Sequence, residues 1–150
     1  MASYLDGVDA LRALLTGLQV VDDNGTPLQQ ADESGPVPPV TTHIVLPADV
    51  TTRAEGGEVL VLVYRAGWSD DQKETEGHDR VGVDVYGPSY PVVKAVSQAI
   101  EEFLVDECHD VPGVGFIDDV RRDSRWRRVP VASDAYQQTQ ATYRLISRPD

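Results

Sequence analysis

A stretch of eight residues, Glu58 to Arg65 (EVLVLVYR), constrains the fold more than any other part of the chain. Its valines alternate with Leu60, Leu62 and Tyr64, so an extended strand here is apolar on both sides. Such a strand has to be covered on both sides, which predicts a central strand of a packed sheet. Val81 to Tyr86 (VGVDVY) predicts a second strand, with its three valines on one face.

Two amphipathic helices are predicted before and after these strands. The first spans roughly Leu5 to Leu18, where leucines recur at the spacing of one helical face. The second follows the turn GPSYP, with Ser89 as its N-cap and Pro91 in its first turn, and continues to about Glu107. Its buried stripe is predicted to consist of Val92, Val93, Val96, Ala99, Ile100, Phe103 and Leu104.

The other segments complete a mixed α/β (α+β) domain. Thr42 to Leu46 predicts a short strand, and residues 116–129 and 136–147 predict two strands joined as a hairpin. Residues 22–40 are rich in Pro, Gly, Asp and Ser, which predicts a loop or arm, and Gly67 to Arg80 predicts an acidic loop. We expect one domain over residues 1–150, with two main helices packed on one face of a mixed, largely antiparallel sheet.

Charge is distributed unevenly along the 150 residues, whose net charge is −12. Residues 1–110 hold 6 Lys and Arg against 20 Asp and Glu, a net of −14, whereas residues 111–150 hold 7 against 5, a net of +2. The acidic total argues against a general nucleic-acid binder. No apolar run approaches the ~20 residues of a membrane helix. The single cysteine, Cys108, favours a reducing compartment.

The sequence carries no motif of catalysis, cofactor binding or metal binding. Phosphate-binding loops are absent, the three histidines are dispersed, and no serine lies in a nucleophile motif. Residues 106–110 (DECHD) mix ligand types, but no second ligand pair at zinc spacing occurs, so we interpret them as a helix terminus. We predict no enzyme, no cofactor and no metal. A small-ligand binding domain is an alternative that a deep pocket with converging polar groups would favour.

Residues 121–128 (RRDSRWRR) contain five arginines and a tryptophan. In a regular strand, Arg122, Ser124, Trp126 and Arg128 would share one side. A solvated strand with local aspartate pairing, a protein interface and a nucleic-acid patch are all possible interpretations. We favour the interface, because Arg and Trp are enriched at binding hot spots.

Two surfaces follow from this interpretation. A protein interface is predicted at Arg121, Arg122, Arg125, Trp126, Arg127, Arg128, Gln138 and Gln140. An acidic surface is predicted at Asp70, Asp71, Glu74, Glu76 and Asp79. Opposite charges on two different surfaces would suit association with further copies of the chain.

The segments GFIDDVRRDSRWRRVP and SDAYQQTQATYRLISRP resemble the C-terminal region of tail terminator proteins from long-tailed actinobacterial phages. Upstream, VLVYRAG and RVGVDVYGPSYPVVKAVSQAIEEFL resemble the strand–strand–helix core of the same family. The resemblance runs from about Glu58 to Pro149, and the first 57 residues match less well.

This resemblance implies a virion structural protein at the tail–neck junction of a siphophage, assembled in the bacterial host cytoplasm. Tail terminators form a ring, usually a hexamer, which binds the last ring of tail tube protein and stops tube polymerisation. The ring then joins the head-closure or connector protein, and DNA passes through its lumen without specific binding. Another neck component, a head-closure or head–tail connector protein, is the alternative. The resemblance implies that the predicted interface is a subunit or tube interface and that the predicted acidic surface is an outer surface of the ring or its lumen. Whether the arginines contact a ring neighbour or the tube is left open by the sequence.

Overall fold

A mixed sheet with helices against it forms the framework of the protein in a computed structural model, which describes residues 6–16, 20–21, 27–30, 39–68, 77–111, 113–131 and 135–147. The described strands are β1 (Val20–Val21), β2 (Pro27–Gln30), β3 (Pro39–His43), β4 (Val59–Trp68), β5 (Gly77–Gly87), β6 (His109–Val111), β7 (Gly115–Val129) and β8 (Gln137–Ser147). The described helices are α1 (Gly7–Thr16), α2 (Val50–Glu55) and α3 (Tyr90–Leu104).

The strands lie in the order β1-β2-β3-β4-β5-β8-β7-β6. The β2–β3 and β3–β4 pairs are parallel, and the other pairs are antiparallel. Helix α2 makes the crossover that the parallel β3–β4 pair requires. The mixed, largely antiparallel α+β fold and the central place of β4 are therefore confirmed.

The main core lies between one face of this sheet and two helices. The sheet contributes the valines of β4 and β5 together with Ala141, Tyr143 and Leu145 of β8. Helix α1 contributes Ala10, Leu11 and Leu15, and helix α3 contributes Val93, Ala95, Val96, Ile100 and Leu104. The predicted arrangement, with two main helices packed on one face of the sheet, is therefore confirmed. Phe103 was wrongly placed in the buried stripe, because its side chain is 37% exposed and contacts the ring of His109.

Helix α2 was not predicted from the sequence. It contacts β4 and β5, and its Ala54 and the strand residue Leu60 are fully buried outside the main core cluster. Because Leu60 alternates with the core-facing valines, we infer that α2 covers part of the opposite face of the sheet. Six residues with one buried position give too little periodicity for a sequence-based prediction.

Several element boundaries differ from the prediction. The short strand predicted at Thr42 to Leu46 is β3 and ends at His43. The predicted acidic loop Gly67 to Arg80 is shorter at both ends, because β4 continues to Trp68 and pairs there with β5, which begins at Gly77.

Within the predicted loop 22–40, Pro27–Gln30 forms β2, because the parallel partner β3 supplies its hydrogen bonds, and β3 itself begins at Pro39. The other residues of that loop lie outside the described part of the chain. Helix α3 ends at Leu104 rather than Glu107, since Val105 is extended and Asp106 has a φ of +62°. Acidic residues at this end oppose the helix dipole, which is consistent with an earlier stop.

Candidate docking surface on strand β7

The outer side of strand β7 is only partly paired. Strand β8 pairs with β7 from Ile117 to Val129, whereas β6 pairs only with residues 115–117. One further backbone hydrogen bond reaches this side, from the Asp106 N–H to the Val120 carbonyl oxygen (3.0 Å). Among the described residues, no strand pairs with the outer side from Arg121 to Arg128. We call this segment the arginine edge.

Bulges break the simple alternation of side chains along the arginine edge. The β7–β8 register shifts between Arg122 and Ser124 and again between Ser124 and Arg127. As a result, Ser124 lies opposite Thr142, and their hydroxyls are 2.7 Å apart. The prediction that Ser124 shares a side with Arg122 is wrong, because each extra residue in a bulge reverses the side on which the following residues lie.

Three side chains of the arginine edge face helix α3. The Arg122 guanidinium lies 3.4 Å from the Glu101 carboxylate. The Trp126 indole N–H donates to the Tyr143 hydroxyl (2.7 Å), and the two rings meet edge to face. Arg128 lies over the Tyr90 ring, 4.8 Å from its centroid. This side of the edge is therefore bound to α3 and β8.

Replacing Trp126 with Phe is expected to lower the free energy of unfolding by about 1 kcal/mol, since it removes a hydrogen bond and leaves the Tyr143 hydroxyl with one donor fewer. Urea denaturation measures this change. Tyr143→Phe removes the same bond from the other side, so a double variant should lose less than the sum of the two single variants. Additive losses would show that the Trp126–Tyr143 bond does not form.

Several arginines of this region are neutralised within the chain. Arg121 pairs with Asp119 at 2.8 Å. Asp123 pairs with Arg80 on β5, and it also lies 3.8 Å from Arg144 on β8. The local aspartate pairing considered from the sequence therefore holds at the β6 end of the edge.

Three arginines at the hairpin end have no carboxylate partner among the described residues. Arg127 donates to the side-chain oxygen of Gln140 (2.7 Å), and Arg128 donates to that of Gln137 (2.6 and 3.2 Å). Arg125 is exposed, and its side chain makes no hydrogen bond or ion pair with a described residue. Amides do not carry charge, so the positive charge of these arginines is available to a partner.

Gln138 and Gln140, predicted as interface residues, belong to a polar network on the face opposite α3. At its centre Asp84, only 6% exposed, accepts hydrogen bonds from the Tyr64 hydroxyl (2.9 Å) and the Gln138 amide (3.2 Å). Gln140 donates to the Tyr64 hydroxyl (2.8 Å). Both amides thus satisfy a buried carboxylate and its tyrosine partner, which is the ordinary role of a polar sheet face.

The sequence analysis missed Asp84 and Tyr64 as members of this network. Alternation placed Asp84 on the face opposite the valines, but only the pairing of β4, β5 and β8 brings Tyr64 and Gln138 to it. Burial and then the negative charge of Asp84 raise the pKa of Tyr64 to about 12. The phenol therefore keeps its proton and its role as a donor at neutral pH.

Two hollows flank the arginine edge. One, of about 350 Å³, lies between α3 and β7 and is lined in part by Tyr90, Lys94 and Trp126. The other, of about 630 Å³, lies on the opposite face against Tyr64, Arg125 and Thr142. A partner chain that contacts the edge would therefore have space on both sides of it.

The predicted acidic surface is described only at Asp79. This carboxylate accepts a hydrogen bond from the Gly7 N–H at the start of α1 (2.8 Å) and lies 3.9 Å from Arg65. The positive end of the helix dipole favours a carboxylate there, so Asp79 supports the start of α1, and its place on an acidic surface or lumen stays a prediction. Asp70, Asp71, Glu74 and Glu76 lie outside the described residues.

Neither a metal site nor a membrane span is found in the part of the chain that the structure describes. Among these residues, no three His, Cys, Asp or Glu side chains are grouped so that they could hold a metal ion. None of the described helices is long and apolar enough to cross a membrane.

Comparison with known proteins assigns no family. No family model matches the chain, and no curated protein matches it. Eight chains of solved structures match. One of them aligns over 96% of this chain and 90% of its own length, with 14% identity and a TM-score of 0.37. A likeness this weak supports no conclusion about function, so the resemblance to tail terminators stays a prediction.

Proposed function

We propose that this chain is the subunit of a phage tail terminator. Copies of it would form a ring, expected to be a hexamer, that caps the tail tube, stops its polymerisation and joins the tail to the head connector. The arginine edge carries this proposal. It combines an open strand edge with three arginines that lack a carboxylate partner among the described residues, on a chain of net charge −12.

An open strand edge is a surface on which another chain can pair. Arginines and bulges also prevent indiscriminate pairing at such an edge, so a specific partner is favoured over aggregation. A closed ring needs a surface that docks onto a different surface of the next copy. The arginine edge would serve as one of these two surfaces.

The resemblance supports the same proposal from the sequence side. The segments that carry it coincide with β4, β5, α3, β7 and β8, which include the arginine edge and most of the core. The negative net charge is also consistent with a channel for DNA, because phosphate attraction to basic groups would otherwise retain the passing strand.

Silencing the gene in the phage that encodes this chain tests the proposal. Without the protein, tail tubes are expected to exceed their normal length and to remain separate from heads, as seen by negative-stain electron microscopy. The control is a silenced phage supplied with the wild-type chain, which should make joined particles of normal tail length.

The length of the tails separates the two neck functions. Tails of normal length that fail to join heads would indicate a head-closure or connector protein instead. Joined particles with normal tails in the absence of the chain would refute both assignments.

A further inference from the structure

Two groups of charged side chains beside β7 have no oppositely charged partner among the described residues. The basic end consists of Arg125, Arg127 and Arg128. The acidic end consists of Asp106, Glu107 and Asp110, which are exposed. No carboxylate of the acidic end makes a hydrogen bond or ion pair with a described residue. Within the part of the chain that the structure describes, each end therefore carries charge that is not neutralised.

Helix α3 shows that these two ends are far apart. At its first residue, Tyr90 lies beneath Arg128 of the basic end. Just past its last residue, the Asp106 N–H bonds to the Val120 carbonyl, and Asp110 pairs with Phe116. The β8 residues that pair with Val120 and Arg127 are Leu145 and Gln140, five residues apart, so this stretch covers roughly 17 Å at about 3.4 Å per residue.

This separation exceeds the range of charge interactions in solution. At physiological ionic strength the screening length is about 8 Å, so the two ends of one copy do not neutralise each other. A second copy can bring the opposite charges into contact. Two basic ends or two acidic ends brought together would repel, which disfavours a symmetric head-to-head pair.

We propose that copies of this chain dock head to tail, with the basic end of one copy against the acidic end of the next. The inference rests on the proposed function, and it identifies the partner of the arginine edge as a ring neighbour rather than the tail tube. Repetition of one such contact generates a ring when the rotation closes. DNA is a less favoured partner of the basic end than a second copy, because the whole chain carries a net charge of −12.

Two charge-reversal variants of the full chain test this proposal. Variant one carries Arg125→Glu, Arg127→Glu and Arg128→Glu. Variant two carries Glu107→Lys and Asp110→Lys; Asp106 is retained because of its positive φ. In variant one both ends are acidic, and in variant two both ends are basic. A control, Asp9→Lys with Glu55→Lys, changes exposed charges on α1 and α2.

Native mass spectrometry reports the copy number of each sample, and circular dichroism reports its fold. The wild type and the control are expected to form oligomers, whereas each variant alone should associate about 100-fold more weakly or worse. An equimolar mixture should restore oligomers with equal numbers of the two variants, because every contact in an alternating ring is then between opposite charges.

Three outcomes overturn the proposal: a monomeric wild type at high concentration, a folded variant that assembles alone like the wild type, or a mixture that stays monomeric. Oligomers that bind added DNA in a salt-sensitive way through the basic end would identify DNA as the partner of that end. If mixing restores oligomers but silencing the gene leaves tails unchanged, the head-to-tail contact stands and the tail function fails. If variant one forms rings alone but no longer caps tails, the arginines meet the tube.

Discussion

Val61→Asp is expected to abolish the folded state. Val61 lies in the central strand β4, which has β3 on one side and β5 on the other. It is 2% exposed and belongs to the main core cluster. A carboxylate there has no polar partner, and even its protonated form would leave a buried hydroxyl and carbonyl without hydrogen bonds. We expect a loss of about 5 kcal/mol or more, which equals the whole free energy of unfolding of a domain at the lower end of the usual range.

The same substitution at an exposed valine provides the control. Val45 is 76% exposed after β3, so Val45→Asp should change the free energy of unfolding by no more than about 0.5 kcal/mol. Thermal denaturation followed by circular dichroism compares the two variants. A Val61→Asp protein that melts cooperatively near the wild-type temperature would show that β4 is not the centre of the sheet.

Gly82→Ala is expected to have the second largest effect. The Tyr64 ring crosses β5 directly over Gly82, and a Cβ at this position would clash with the Tyr64 Cζ atom. Tyr64 would have to move, and its hydrogen bonds to Asp84 and Gln140 would be lost with it. Overpacking costs about 1 to 3 kcal/mol, and a buried carboxylate that loses a donor adds about 1 to 3 kcal/mol.

Two comparisons isolate the steric cause at Gly82. Gly56→Ala makes the same chemical change where the nearest atom is 3.4 Å away, so it should change the urea midpoint little. Tyr64→Ala removes the obstructing ring, so adding Gly82→Ala to it should cost much less than in the wild type. An equal cost of Gly82→Ala in both backgrounds would contradict the placement of Tyr64.

The sequence patterns predicted the elements whose side chains repeat over many residues. The double apolar alternation of Glu58 to Arg65 predicted β4 in the centre, and the valines of β5 predicted its core face. The Ser89–Pro91 start of α3 was also predicted, and Ser89 is the N-cap residue. Its side chain makes no capping hydrogen bond, so the start rests on its extended backbone and on Pro91.

Short or non-local features could not be predicted in the same way. The three residues of β6 pair with β7 because α3 stops early at Leu104, a boundary that no periodicity marks. The bulges next to Ser124 depend on the register with β8, and the hydrogen bonds of Asp84 depend on three strands meeting. Sequence alone could not separate the neutralised Arg121 and Arg122 from the three arginines without carboxylate partners.

The difference between these two groups of arginines changes the interpretation of the arginine-rich segment. Arg121 and Arg122 pair with Asp119 and Glu101, whereas Arg125, Arg127 and Arg128 have no carboxylate partner among the described residues. We therefore propose that, of the eight predicted interface residues, these three arginines at the hairpin end of β7 make the main contact with a partner.

Electron cryomicroscopy of the junction between tail and neck in the intact virion tests the central claim most directly. A closed ring of this chain is expected on the last ring of tail tube protein. In that ring, Arg125, Arg127 and Arg128 of each copy should contact Asp106, Glu107 and Asp110 of the next. A junction that contains no ring of this chain, or a ring whose β7 edges face solvent, would contradict it.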